Sequence, residues 1–255
     1  PQLNPKLAFS YTPADGTTLR ASFGRGFRIP AVAEIFVNLE LSRGFFTLPN
    51  TGLKPEASYS YEVGISQRVS DFGTVDFAAF RSDYINLIDP TITSKGVQWQ
   101  NTPKARVQGF ETSLKLGLFD GDLQYSFGYT YVYPEDLSTQ DPVLPRSNNI
   151  LPYRPRHLLY TGILGTFDIF RAGIDFRYIS KVDRVFSLLS SLINDLEQRE
   201  QIVVTDIRVG ADFSSFGVPI NATFNINNAF RYNYLELTAN MSPPRNFVLV
   251  LESKL

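Results

Sequence analysis

The sequence predicts an all-β protein: an antiparallel transmembrane β-barrel segment of about eleven strands. Three observations carry this reading. Apolar and polar residues alternate with period two in segment after segment, as in "GDLQYSFGYTYVY" (121–133), where Leu123, Tyr125, Phe127, Tyr129, Tyr131 and Tyr133 share one face. Short turns alternate with long connections along the chain. Phe and Tyr are abundant, at 21 and 13 residues, beside one Trp. These types favour strands, and Tyr also suits a lipid–water boundary.

The elements follow in order. Leu7, Phe9 and Tyr11 mark a first strand at 4–12, and Leu19, Ala21 and Phe23 a second at 17–27, joined by the turn "PADG". Tyr59, Tyr61, Val63 and Ile65 mark a third at 58–69, followed by "SDFG" and a fourth at 74–88. Phe110, Thr112, Leu114 and Leu116 lie on a fifth at 98–118, and "FDG" leads into a sixth at 122–133. The seventh and eighth, 155–167 and 169–182, flank a turn at 167–168, and the eighth alternates at Ala172, Ile174, Phe176 and Tyr178. Ile207, Val209 and Ala211 mark a ninth at 202–213, and "SSFG" precedes a tenth at 218–228 with Ile220, Ala222, Phe224 and Ile226. Phe247, Leu249 and Leu251 close the series at 245–254.

Between these hairpins lie long connections at 28–57, 89–97, 134–154, 183–201 and 229–244. Short turns at one end and long loops at the other are the outer-membrane barrel pattern. Within the fourth long connection, Leu188, Leu192 and Leu196 are four apart, which fits a short helix at 185–198 inside a loop. The ring-bearing face, with Phe110, Leu114, Tyr125, Phe127 and Phe224, is expected to meet lipid. The opposite face carries Arg20, Glu62, Arg68, Glu111, Lys115, Asp175, Arg177, Asp206, Arg208 and Lys254, as a solvated or plugged lumen would. A soluble sandwich is the competing fold, since a second sheet could cover the apolar face instead.

Composition narrows the function. With 24 basic and 25 acidic residues the formal net charge is -1, which gives no sign of nucleic-acid binding. Cysteine is absent, so disulfides and thiolate sites are excluded. No apolar run reaches the length of a spanning helix. No His, Cys, Asp and Glu cluster has metal-ligand spacing, and no Gly-rich run precedes Lys-Ser/Thr as in a phosphate loop. No catalytic constellation or cofactor site is expected. The chain begins at Pro1, and an odd strand count in a barrel that needs an even one suggests that at least one strand precedes it.

The stretch "RASFGRGFRIPAVAEIF" (20–36) resembles the C-terminal half of the barrel of TonB-dependent outer-membrane receptors, with Phe27, Arg28, Pro30 and Glu34 at the family's positions. Further matches follow in order. They are Asn50, Leu53, Pro55, Glu56, Tyr61, Glu62 and Gly64; then Asn101, Ala105, Gly109 and Glu111; then Pro155 and His157; then Asn225, Asn228, Ala229, Phe230, Pro244, Arg245 and Phe247. Ile29 replaces a common Ala, and Leu255 stands where an aromatic is usual.

The resemblance implies that residues 1–255 form the second half of a 22-stranded barrel, with the plug domain and the N-terminal strands outside this sequence. It implies an outer-membrane receptor of a Gram-negative bacterium, a multi-pass and monomeric barrel in contact with outer-membrane lipid. Such a receptor imports a scarce nutrient by energy drawn from the TonB complex through the N-terminal region. A ferric siderophore is the favoured cargo, with haem, cobalamin and glycans open. A passive porin and a soluble cell-surface binding module are the alternatives.

Residue expectations follow from the same resemblance and from period two. Arg28 and Glu34 are expected to pair with each other or with the plug. Glu62, Arg68, Glu111 and Lys115 are expected to form wall and plug contacts. Cargo candidates are Phe45 and Phe46, Trp99, Arg154 and Arg156, and Tyr232, with Arg43 and Arg146 as further cations for an anionic siderophore. Trp99 has a competing reading as a membrane-interface anchor. His157, the only histidine, is expected to be structural rather than a haem ligand.

Overall fold

The computed structural model describes residues 3–42, 44–93, 95–138, 149–184, 200–237 and 240–253. The expected helix at 185–198, and Arg43, Arg146, Lys254 and Leu255, lie outside the described residues.

Eleven strands form one continuous antiparallel wall. They are β1 (Lys6–Ala14), β2 (Thr17–Arg28), β5 (Glu56–Val69), β6 (Gly73–Thr93), β7 (Gly96–Leu118), β8 (Leu123–Asp136), β9 (His157–Phe167), β10 (Phe170–Ile179), β11 (Ile202–Asp212), β12 (Ile220–Asn227) and β15 (Asn246–Ser253). Along the wall each pairs with the wall strands before and after it, in the order β1-β2-β5-β6-β7-β8-β9-β10-β11-β12-β15. The remaining elements sit in the long connections. After β2 come the helix α1 (Val32–Phe36) and the short strands β3 (Glu40–Ser42) and β4 (Phe45–Leu48); after β12 come β13 (Leu235–Leu237) and β14 (Asn240–Met241).

All eleven wall strands were expected, but one long connection is not a loop. The residues expected to loop at 89–97 instead extend β6 and β7 into a tall hairpin, with Pro90 opposite Trp99 and Thr93 opposite Gly96. Pro90 offers no N–H to this ladder, yet the strand runs through it. β4 adds to the extension as a parallel partner, Phe46 opposite Gly96. A Cβ on Gly96 would land on the Phe46 carbonyl, so only glycine lets β4 approach.

The register settles the two faces. Ala21, Val63, Ala79, Phe110, Tyr131 and His157 form one row across six strands. Ile163, Ile174, Ile207, Ile226 and Phe247 form another. Together with Leu114, Tyr125, Phe127 and Phe224 these rows make one apolar, aromatic face, on which Phe77 and Phe110 stack at 5.8 Å and Phe224 and Phe247 at 6.1 Å. Large apolar side chains on it, such as Phe9 and Leu251, are exposed. Among the described residues no layer covers this face, as lipid-facing strands require.

The buried core is small and lies on the other face, at the long-loop end. Leu87, Ala105 and Leu151 pack together, joined by Tyr84 and Val107. Asn86, at φ 55°, breaks the alternation so that Leu87 joins Tyr84. The Leu151 N–H donates to the Pro134 carbonyl, 3.0 Å away, folding the connection after β8 back over the inner wall.

Candidate functional site

The inner wall carries its charges on ladders whose rungs are set by glycine. Arg20 on β2 stands opposite Gly64 on β5. A Cβ on Gly64 would lie 2.7 Å from the Arg20 Cζ, so the bare glycine is the floor on which the guanidinium rests. From there Arg20 donates to Glu62 at 3.2 Å and, with both terminal nitrogens, to Asp76 on β6 at 2.6 and 2.8 Å. A second ladder repeats the device. The Asp175 carboxylate lies over Gly162, accepts from the Tyr160 hydroxyl at 2.7 Å, and pairs with Arg208. Arg68 pairs with Asp15, at 2.8 Å, at the short-turn end. Glu111 and Lys115 are exposed on the same inner face and have no protein partner among the described residues.

At the opposite end, the mouth is closed by a tighter network. β2 ends at Arg28, and Pro30 turns the chain away because it cannot continue the ladder. Glu34, three residues past Ala31, accepts the Ala31 N–H at 2.7 Å and so holds the first turn of α1. Both of its oxygens also receive Arg28 Nη1 at 2.9 Å. Arg28 Nη2 reaches Glu56 at 3.4 Å, and Glu56 accepts the Ile88 N–H at 2.9 Å. One guanidinium thus ties the end of β2, the helix, the start of β5 and the β6 extension. Arg154, from the connection before β9, donates to both oxygens of Asp89 at 3.3 Å. Burial pushes the Asp89 carboxyl above its ordinary value, and Arg154 offsets this only in part. Arg28, Glu56 and Arg154 with Tyr84, Leu87, Ile88 and Val107 line a cavity of about 410 Å³.

Asparagines fix the loop above. Asn50 donates to the Trp99 carbonyl at 2.8 Å. Asn101 accepts from the Lys54 N–H at 2.8 Å and donates to the Lys54 and Asn86 carbonyls. These contacts give physical content to Asn50 and Asn101: they dock the first long connection onto β7.

The structure therefore brings together Arg28, Glu34, Glu56 and Arg154, and it adds Phe45, Phe46 and Trp99 on the hairpin extension above them. Trp99 lies eleven residues beyond Phe110 on β7, roughly 36 Å along the strand at about 3.3 Å per residue. Arg156 is not in the cavity: its guanidinium lies 5.0 Å over the Tyr133 ring and pairs with Asp183. Tyr153, at φ 58°, turns the chain just before Arg154. Tyr232 belongs to a separate group at the end of β12, where Asn228 clasps its N–H and carbonyl and Tyr234 stacks on it at 6.2 Å. His157 receives or gives a hydrogen bond with the Tyr129 hydroxyl at 2.8 Å and packs on Tyr131, as a structural residue does.

Two residues of these networks were not anticipated. Asp76 shares the period-two row of Ala78 and could have been read as inward. Asp89 lay in what was expected to be a loop, and its partner is 65 residues away. Among the described residues no group of three His, Cys, Asp or Glu side chains could hold a metal ion.

The family described as TonB dependent receptor-like, beta-barrel, matches residues 1–229. The "Ferric enterobactin receptor" of Pseudomonas aeruginosa is 31% identical over a 153-residue alignment that covers 51% of this chain and 20% of that receptor. The "Vitamin B12 transporter BtuB" of Vibrio vulnificus is 28% identical over 144 residues, 55% of this chain and 22% of the transporter. Among solved structures, the siderophore receptor PirA from Acinetobacter baumannii superposes with a TM-score of 0.69 at 21% identity, over 97% of this chain and 40% of that one. The matched region thus spans well under half the length of each of these proteins.

Proposed function

The chain belongs to the TonB-dependent receptor β-barrel family, and on that premise we propose that it is the C-terminal part of an outer-membrane receptor that imports a scarce nutrient. Its sheet is a half-barrel of that family, and its strands cross the outer membrane many times. In this reading the N-terminal strands and a plug precede it in the whole protein. The plug fills the lumen, and its N-terminal region engages the TonB complex. Cargo lands among the long loops and is released to the periplasm when the plug is pulled.

The single observation that carries this beyond fold is the division of the inner wall. Strand-to-strand pairs engage Arg20, Asp76, Asp175 and Arg208, while Glu111 and Lys115 face the lumen unpaired among the described residues. Unpaired charges on a wall are suited to a plug that forms its own ion pairs there. A passive porin needs no such docking surface. The assigned wall and plug contacts are Glu62, Arg68, Glu111 and Lys115, and Arg28 with Glu34 holds the mouth against which the plug's top rests.

A ferric siderophore is the proposed cargo. It would meet Trp99, Phe45 and Phe46 with its aromatic groups and the Arg28 and Arg154 cations with its negative charge. The ferric enterobactin receptor among the relatives supports the class; the vitamin B12 transporter keeps cobalamin as the rival.

The test is calorimetry on the full-length receptor in detergent, with a panel of ferric siderophores, haem, cobalamin and oligosaccharides. Tight binding of one iron chelate, weakened by Arg154→Ala, is expected. Tight binding of cobalamin alone would overturn the cargo. Uptake that persists after collapse of the proton gradient would overturn active transport in favour of a porin.

A further inference from the structure

The outward face is not apolar throughout. Above the aromatic row of Phe23, Tyr61 and Tyr133, the register continues into a charged row in which Arg25, Tyr59, Asp83, Arg106 and Glu135 stand side by side on β2, β5, β6, β7 and β8. Arg81 stands one step below on β6, opposite Tyr61.

Asp83 organises the centre. Arg81 approaches it with Nε at 2.9 Å and Nη2 at 3.3 Å, and Arg106 with Nε at 2.7 Å. One carboxylate therefore holds two guanidiniums. Each guanidinium has five N–H donors. Arg81 Nη1 and both terminal nitrogens of Arg106 have no protein partner among the described residues. Arg25 flanks them, its guanidinium 5.8 Å over the Tyr59 ring. Glu135 is the only other acid of the row, and it forms no ion pair with Arg106. The patch carries a surplus of positive charge, and its donors are pre-positioned on a rigid sheet rather than on loops.

We infer that this patch binds the phosphorylated head group of an outer-leaflet lipid. Its place decides the occupant. It faces away from the lumen, so neither the plug nor cargo in the lumen can reach it. It sits at the long-loop end, immediately above tyrosines of the kind that mark a membrane boundary. A phosphate at that depth accepts charge-assisted hydrogen bonds from paired arginines, while the acyl chains lie along Val63, Ala79 and Phe110 on the same face. The inference rests on the outer-membrane placement of the barrel and not on the import reading or its cargo.

The test uses the full-length receptor in detergent micelles and in nanodiscs containing lipid A, with phosphatidylcholine nanodiscs and inorganic phosphate as separate arms. Retained lipid A per barrel is read by native mass spectrometry, and folding of every variant by heat-modifiable migration. The Arg81→Ala, Arg106→Ala double variant is expected to retain about tenfold less lipid A while remaining folded. Asp83→Asn removes the organising negative charge but keeps both guanidiniums, so retention equal to or above the parent's is expected. Unchanged retention in the double variant overturns the inference. So does an Asp83→Asn loss as large as the double variant's, which would make the cluster a structural ion pair only. Equal binding of phosphatidylcholine, or displacement of lipid A by millimolar inorganic phosphate, also overturns it.

Discussion

The charges half-way up the inner wall and those at the mouth are of the same chemical kinds but are held differently. On the wall, Arg20, Glu62 and Asp76 sit on adjacent strands whose backbone ladder already fixes their separation, and their side chains are 34%, 43% and 31% exposed. At the mouth, Glu34 and Glu56 are only 13% and 14% exposed; Glu56 is the last rung of the β2–β5 ladder, opposite Arg28, and Glu34 lies in α1, beyond the end of that ladder. The difference teaches which interactions decide geometry. Where the sheet sets the geometry, ion pairs are secondary and screened by solvent. Where it ends, the ion pairs themselves set the position of the loops, and removing one partner strands a half-buried charge.

The strongest disturbance acts on the sheet itself. A Cβ on Gly109 would land on the Tyr131 carbonyl, a backbone group that cannot swing aside. Gly109→Ala is expected to cost about 3 kcal/mol and to reduce the fraction of full-length barrel that assembles, read by heat-modifiable migration in gels. Normal assembly would show that the wall tolerates more than its register implies.

Next is the mouth. Arg28→Ala leaves Glu34 and Glu56 without their shared cation; discounted for its own partial exposure, the loss should be about 2 kcal/mol. It should appear locally, as faster hydrogen exchange at the Ile88 and Ala31 amides and faster proteolysis between 30 and 55, with little change in global unfolding. The wall counterpart is smaller: Arg20→Gln should cost less than about 1 kcal/mol. If the two variants cost the same, the contrast between wall and mouth fails.

The smallest effect tests sign rather than size. Burial raises the Asp89 carboxyl above its ordinary value, so the unfolded chain releases this proton at lower pH than the folded mouth does. The group's contribution to stability is therefore greatest below its ordinary pKa and declines as pH rises toward the raised folded value. Asp89→Asn should abolish that dependence and be close to neutral in stability near pH 7. Hydrogen exchange at the mouth, followed from pH 4 to 7, checks it; a steep dependence surviving in the variant would assign the titration to another group.

Much of this was legible in the sequence, for particular reasons. Period two located every wall strand because one face must be apolar along its whole crossing, so the pattern cannot be diluted. The Arg28–Glu34 pair was legible because both ends lie around one proline. The upper parts of β6 and β7 were not, because above the apolar band nothing forces alternation and Pro90 argues the other way. The short strands β3, β4, β13 and β14 carry too few residues for any period to show. The Arg154–Asp89 pair joins distant segments, and Arg156, which stands two residues from Arg154 and would share its face in a strand, turns instead to Tyr133 and Asp183.

The strict neighbour order of the wall has a kinetic side. Tight turns at 15–16, 70–72, 119–121, 168–169 and 213–219 join β1 to β2, β5 to β6, β7 to β8, β9 to β10 and β11 to β12. Closing such short loops costs little chain entropy, so these pairs can form as units and enter the bilayer two strands at a time. Docking most units against the next requires closing longer connections, at 29–55, 137–156 and 180–201, whereas β6 and β7 are themselves joined by a tight hairpin. Arg28 belongs to the first unit and Glu56 to the second; Asp89 lies in the second and Arg154 at the threshold of the fourth. These contacts therefore form only after whole units have met, and the mouth is the last region of the molecule to become native.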